Sequence, residues 1–412
     1  MVTREPVRIS DLPLSLDDVL AARELLRGVA RMTPLEGSRP LTERVGGKVW
    51  LKCENLQRTG SFKIRGAYVR LSRLSAEERR RGVVAASAGN HAQGVALAAQ
   101  LTGSHATVFM PEGAPIPKVS ATRAYGAEVA FHGHTVDEAL VAASEFSERT
   151  GAVLIHPFDH ADIVAGQGTL GLEILEQCPD VRTVVVCTGG GGLLAGTALG
   201  IRSQRPDVRV VGVQAEGAAA YPGSLAAGQP VRLGQMATMA DGIAVGCPGE
   251  IPFSIVQTLV EGIVTVSEES ISRALLLCLE RAKLVVEPAG GAAVAALLDN
   301  PSAFEPPVVA VLSGGNVDPL LMLRVLRHGM AAAGRYLAVR VRVSDRPGNL
   351  AKLLAAVGEV DANVLEVEHV RTEPRLAIDE VEVALQLETQ GPEHCLAVLA
   401  HLRDRGYAFM HS

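Results

Sequence analysis

"VRTVVVCTGGGGLLAGTALGIRSQ", Val181 to Gln204, sets a run of valines against four glycines and then a stretch rich in alanine and leucine. A continuous β-branched run reads as a strand buried on both faces, and the alanine-rich segment reads as a helix. The glycines between them make a tight turn in which the backbone is open to approach. The same order recurs in "GVVAASAGNHAQGVALAAQLTG", Gly82 to Gly103. "HATVFMPEGAP" (His105–Pro115) is a strand that ends in a turn, and "PKVSATRAYGAE" (Pro117–Glu128) is a helix. "VRVVGVQAE" (Val208–Glu216) and "PPVVAVLSGGNVDPLLMLRVL" (Pro306–Leu326) continue the series. Buried strands separated by helices predict an α/β fold with parallel sheets covered on both faces.

The 412 residues exceed one hydrophobic core, so two or three domains are expected. Hydrophobic residues make up 48% and charged residues 20%, enough apolar material for large buried sheets. A net charge of −6 and the lack of a basic, aromatic-interleaved stripe argue against nucleic acid as a partner. No apolar run approaches the ~20 residues that span a membrane. "MVTREPVRIS" lacks the apolar run of a signal peptide. Six scattered cysteines without a CxxC pair fit a reduced, cytoplasmic protein.

The texture changes near the end of the chain. "GMAAAGR" (Gly329–Arg335) reads as a small-residue linker, placed at 331–334, between a unit at 1–330 and a module at 335–412. "YLAVRVRVSDRPGNLAKLLAAV" begins with strict alternation, turns at Asp345–Gly348 and becomes a helix. "NVLEVEHVRT" and "DEVEVALQLET" alternate again, and "GPEHCLAVLAHLRDRGY" is amphipathic. The order β-α-β-β-α-β is ferredoxin-like.

Three glycine-bearing loops and one lysine carry the chemistry. Gly189–Gly192 follow a strand and open a helix, where backbone N–H groups and the helix dipole can close round an anion. No GK[ST] follows, so this is not a nucleotide P-loop. Gly190, Gly192 and Ala195 satisfy G-x-G-x-x-A, with Glu216 after the next strand, so a dinucleotide-dependent oxidoreductase is a rival reading. "SAGNH" (Ser87–His91) and "SGGN" (Ser313–Asn316) also stand at the carboxyl ends of strands, where ligands bind in open sheets. In "TGSFKIRGAY" (Thr59–Tyr68), Lys63 lies between Phe62 and Ile64, with Arg65 close by. Apolar neighbours and a second cation can turn an amine into a nucleophile, although Arg65 could simply pair locally. A nicotinamide site leaves Lys63, Asn90 and Ser313 without jobs, whereas a phosphate-bearing aldehyde cofactor uses them all.

"SFKIRGA", "SAGNHAQG", "TGGGGL" and "SGGN", in this order, resemble the fold-type II (tryptophan synthase β-like) pyridoxal-phosphate enzymes. Within that family they are most similar to threonine dehydratases (threonine ammonia-lyases) carrying one C-terminal ACT domain. The resemblance implies a two-lobed unit, its small lobe roughly 53–155 inserted in the large one. It implies pyridoxal 5'-phosphate bonded to Lys63, which is also the catalytic base. Phe62 would lie beside the ring, Asn90 at the ring hydroxyl, Gly189, Gly190, Gly191, Gly192 and Leu193 at the phosphate, and Ser313 at the pyridine nitrogen. Ser87, Ala88, Gly89, Asn90 and His91 would receive the substrate. Asp241, Gly242 and Glu287 fall in loops the family sets near the cofactor.

The resemblance further implies β-elimination of water from L-threonine, and possible use of L-serine. A neutral serine at the pyridine nitrogen makes a weaker electron sink than an aspartate, which favours expulsion of a β-substituent. A serine dehydratase or racemase of the same fold is the nearest alternative. Ala88 stands where racemases carry a hydroxyl, and "EGAAAYPG" lacks their second metal-binding carboxylate, so no metal is expected. An amino-acid sensor without catalysis is a third reading. In ACT domains the first strand-to-helix turn, here Asp345, Pro347, Gly348 and Asn349, docks a small amino-acid effector, usually between copies, so a homo-oligomer is expected. Other groups have plainer readings. His132 and His134 read as solvated, His156 and His160 are separated by Pro157, and Cys187 reads as a small core residue.

Overall fold

The computed structural model describes residues 12–371 and 376–411. Met1–Ser10, the stretch read for a signal peptide, lies outside them. The chain forms two compact units, one ending at Met322 and one starting at Leu323.

The larger unit holds two sheets. Six strands run in the order Leu35–Gly37, Val49–Lys52, Val308–Val311, Thr183–Cys187, Arg209–Ala215 and Gly262–Val266. All neighbours are parallel except the Leu35–Gly37 edge. The four-stranded sheet, Glu128–Phe131, Ala106–Met110, Val83–Ala86 and Val153–Leu154, is wholly parallel. Every residue of Val83–Ala86, Thr183–Cys187 and Val308–Val311 is buried, as continuous apolar runs require. Helix Lys63–Ser72 packs beside helices Asn90–Thr102 and Ala161–Gln177. Ile64, Leu71, Val95, Met110, Ile155 and Ile163 lie in the core they share with the four-stranded sheet. Gly66 and Gly166 let two of these helices touch, because a Cβ on Gly166 would come within 2.6 Å of the Gly66 Cα.

The second unit carries an antiparallel sheet in the order Asn363–Val370, Glu380–Glu388, Tyr336–Ser344, Ala408–His411. Helices Asn349–Gly358 and Pro392–Asp404 complete the ferredoxin-like βαββαβ order. Residues alternate between buried and more exposed along Tyr336–Ser344, and the buried side includes Leu337, Val339, Val341 and Val343. Part of the stretch read as a linker is helical. Helix Pro319–Ala332 runs through Ala331 and Ala332, and only Gly334, at φ 67°, has the left-handed backbone that stops a helix. Alanine is the strongest helix former, so a run of small residues prolonged the helix. Among the described residues, no helix is long and apolar enough to cross a membrane.

Candidate active site

A cavity of about 590 Å³ in the larger unit gathers the motifs. Its lining includes Phe62 and Lys63, every residue of Ser87–His91 and of Gly189–Leu193, and Ser313. Asp241, Gly242, Glu287 and Cys187 also line it.

Lys63 is the first residue of its helix, held there by the turn before it. Thr59 and Gly60 both take positive φ, 62° and 69°. The Asn316 side-chain amide donates to the Thr59 carbonyl, Ser61 bridges to Gly314, and the Phe62 N–H donates to the Ser313 carbonyl. Two chain-distant loops are thereby pinned together. The Lys63 Nζ donates to the Pro157 carbonyl at 2.9 Å. Burial lowers its pKa to about 8, so the neutral amine is within reach near neutrality. Arg65 does not cause this shift. Its guanidinium is 1% exposed and bonds Glu54 and Glu173, which neutralise it, together with Thr169. The second cation is thus a structural anchor for the helix that carries Lys63.

At "SAGNH" the backbone turns so that Gly89 N–H meets Ser87 Oγ at 3.1 Å and Asn90 begins the helix. His91 Nε2 donates to the Ile155 carbonyl at 2.8 Å, and burial drives its pKa down to about 3, so the ring is neutral. Asn90 Nδ2 donates to Glu287 Oε1 at 2.6 Å, while its Oδ1 accepts from Asn316 at 2.8 Å. Burial raises the Glu287 carboxyl to about 7.

The tetraglycine is shaped by close neighbours. A Cβ on Gly190 would sit 2.4 Å from the Phe158 ring, and one on Gly191 would sit 1.8 Å from Tyr221 Oη. Gly191 also has φ 100°, a backbone that L side chains rarely adopt. These two positions accept only glycine, leaving a bare N–H cradle at the start of helix Gly192–Arg202. Ser313 is buried, and Cys187 Sγ donates to its hydroxyl at 3.1 Å. Burial raises that thiol to about 11, which leaves it a proton-bearing, unreactive group.

The paired histidines act as caps, although His156 also lines the cavity. His156 Nδ1 accepts from Asp159 N–H and His160 Nδ1 accepts from Asp162 N–H, so each caps a turn. No metal-binding cluster of His, Cys, Asp or Glu exists among the described residues. Asp345, Pro347, Gly348 and Asn349 belong to the second unit. Lys118 and Phe158, which line the cavity, carried no motif in the sequence.

A buried amine faces a glycine cradle and a buried hydroxyl, and this donor set fits a phosphate-bearing aldehyde. Residues 26–314 match the family described as pyridoxal-phosphate dependent enzyme. The chain belongs to that family, and its cofactor is pyridoxal phosphate. It is 46% identical over 394 residues to an L-threonine ammonia-lyase of Thermotoga maritima, covering 96% of this chain and 98% of that protein. Among solved structures it resembles the processed form of threonine deaminase isoform 2 from Solanum lycopersicum. That similarity has TM-score 0.75 and 38% identity, covering 80% of this chain and 96% of that one. Maize serine racemase is also similar, with TM-score 0.72 and 34% identity over 75% of this chain and 96% of that one. The dinucleotide reading of the tetraglycine is overturned by the family match.

Proposed function

We propose that this chain is an L-threonine ammonia-lyase, converting L-threonine to 2-oxobutanoate and ammonia, with L-serine as a second substrate that yields pyruvate. One observation carries the reading beyond family membership: a buried amine with lowered pKa lies in the same cavity as the serine–asparagine loop Ser87–His91. Pyridoxal phosphate, when bound, supplies the aldehyde carbon that takes an amino group and the ring that withdraws electrons from the α-carbon. Lys63 Nζ would hold the cofactor between turnovers and, once free, would remove the α-proton. Gly189–Gly192 would hold the phosphate on backbone N–H groups, with Leu193 in the first turn of the helix behind them. Asn90, fixed by Glu287 and Asn316, would orient the ring hydroxyl, and Ser313 would hydrogen-bond the ring nitrogen without charging it. Phe62 would pack beside the ring, and the loop Ser87–His91 would receive the substrate carboxylate. The β-hydroxyl leaves as water, and the released enamine tautomerises and hydrolyses to the 2-oxo acid and ammonia.

Ala88 has no proton to give to the opposite face of the α-carbon, which disfavours the racemase reading. The second unit, with the module from Tyr336 onward, serves as an ACT-type regulatory domain binding a small amino acid at Asp345, Pro347, Gly348 and Asn349. Self-association of the chain would complete that site. The six free cysteines suit work in the reducing cytoplasm.

The deciding experiment is a steady-state comparison of threonine with serine, with and without branched-chain amino acids. Ammonia release from threonine by a yellow protein that gains cofactor mass on Lys63 with borohydride is the expected result. A colourless protein, or one that returns only D-amino acid, would remove the reading.

A further inference from the structure

Lys118 lies on helix Ile116–Ala124, next to the four-stranded sheet, yet its ammonium is paired across the cavity. Its Nζ donates to Asp241 Oδ2 at 2.7 Å, and Asp241 begins the short turn Asp241–Ile243 on the other side. The lysine side chain is only 12% exposed, whereas the aspartate is 56% exposed. An exposed lysine–aspartate pair contributes little to stability, but a lysine folded inward at a pocket wall has given up most of its water. The same Nζ lies 3.9 Å from where a Cβ on Gly89 would stand, beside the loop proposed to take the substrate carboxylate. Lys118 and Asp241 both act electrostatically on Glu287, in opposite senses, so the three groups share one field.

We propose that Lys118 is a substrate-binding residue, whose ammonium is shared between Asp241 and the amino-acid carboxylate seated on Ser87–His91. The inference rests on the carboxylate assignment under the proposed function. The backbone N–H groups of that loop are neutral donors, and a neighbouring ammonium gives the site its preference for an anion. Asp241 competes for the same ammonium. It keeps the cation from standing unpaired at the pocket wall and limits how strongly the carboxylate is held. No bond is made or broken by this residue. Its effect falls on binding, and therefore on KM rather than kcat.

The test compares two ligands that differ only in the charge concerned, L-alanine and L-alaninamide, titrated into the holoenzyme by absorbance and calorimetry. Neither has a β-leaving group, so the readout does not depend on turnover. Lys118→Met should weaken L-alanine on the order of 10- to 100-fold, the range for a charge-assisted hydrogen bond, and leave L-alaninamide nearly unchanged. Lys118→Arg should retain most of the discrimination. Asp241→Asn, which frees the ammonium, should tighten L-alanine a few-fold and do nothing for the amide. Thermal melts of each variant confirm folding. Equal weakening of both ligands, or unchanged L-alanine affinity in Lys118→Met, overturns the proposal and makes the pair a strut between loops. Failure of the wild-type protein to deaminate threonine would strike the functional reading instead. The alanine–alaninamide contrast in Lys118→Met would still stand or fall separately.

Discussion

The two units solve the problem of presenting polar groups in opposite ways. In the larger one, strands such as Thr183–Cys187 and Val308–Val311 are buried throughout, and of their residues only Cys187, at the end of its strand, lines the cavity. Its chemistry therefore sits in the loops at their carboxyl ends, where Gly189–Gly192 and Ser313 lie, and on the helix that begins at Lys63. In the second unit strand Tyr336–Ser344 alternates, one side of it packs into a core, and exposed Arg340 lies between buried Val339 and Val341. Changes at the loops of the first unit should strike the reaction directly, and changes in the second should alter it only through regulation.

The largest expected effect is at Lys63. Lys63→Ala removes both the covalent anchor and the base, so turnover should fall by several orders of magnitude while the glycine cradle still takes up cofactor. Near-normal turnover in that variant would break the contrast at its strongest point.

Next comes the cradle itself. Gly190→Ala forces a Cβ to within 2.4 Å of the Phe158 ring, a clash that the ring cannot escape without moving. Overpacking of this kind costs about 1–3 kcal/mol. Cofactor affinity, followed by fluorescence titration of the cofactor-free protein, should drop roughly 5- to 150-fold on the same scale. Restoration by Phe158→Ala in the double variant would locate the cause, and an unaffected single variant would show that the cradle tolerates a side chain.

An effect on stability rather than on cofactor binding belongs to Glu287. Burial raises its carboxyl from 4.5 to about 7, so the folded protein binds a proton there more tightly than the unfolded chain. The resulting stabilisation is complete below about pH 4.5 and is lost as pH rises through about 7. Over that window it amounts to on the order of 3 kcal/mol. Glu287→Gln keeps an acceptor for Asn90 but cannot titrate. Denaturant unfolding of cofactor-free wild type should therefore lose stability across this range relative to the variant. Parallel pH profiles would show that Asp241 and Lys118 already balance the site.

Much of this arrangement was written locally. The valine runs fix strands, and the tetraglycine, "SAGNH" and "SGGN" at strand ends each bring residues to the cavity. What escaped depends on residues far apart in the chain. Lys118 sits in "PKVSATRAYGAE", where nothing separates it from a solvated lysine until Asp241, over a hundred positions later, arrives beside it. Phe158 looks like an ordinary core aromatic until it is found to determine what Gly190 can be. The role of Arg65 stayed open for the same reason. Its neighbours in sequence allow either tuning of Lys63 or local pairing, and its partners Glu54 and Glu173 come from other elements and cancel its charge. Composition alone left 331–334 ambiguous, because Ala331 and Ala332 suit a helix as well as a spacer.

The smallest direct effect on turnover is expected in the second unit, at Gly348. It stands at φ 87°, just before helix Asn349–Gly358, and a Cβ there meets nothing within 4 Å. The penalty of a side chain is therefore the left-handed backbone alone, about 1–2 kcal/mol, within what a folded module can bear. Asn349 Nδ2 donates to the Ser344 carbonyl and Asp345 N–H to the Asp379 carbonyl, so the turn is held from both sides and need not unravel. An aspartate at this position puts a negative charge where the first N–H groups of the helix would meet the carboxylate of a bound amino acid. Gly348→Asp should then abolish the response of threonine deamination to isoleucine or valine, while the rate without effector stays within about twofold, because Lys63 keeps all its neighbours. Full-length wild type and variant, each titrated calorimetrically with isoleucine, valine and threonine alongside kinetics, supply the measurement. A variant that still responds would place any effector elsewhere. A wild type that neither binds nor responds would strip the second unit of its regulatory role and leave its exposed sheet residues to explain its presence.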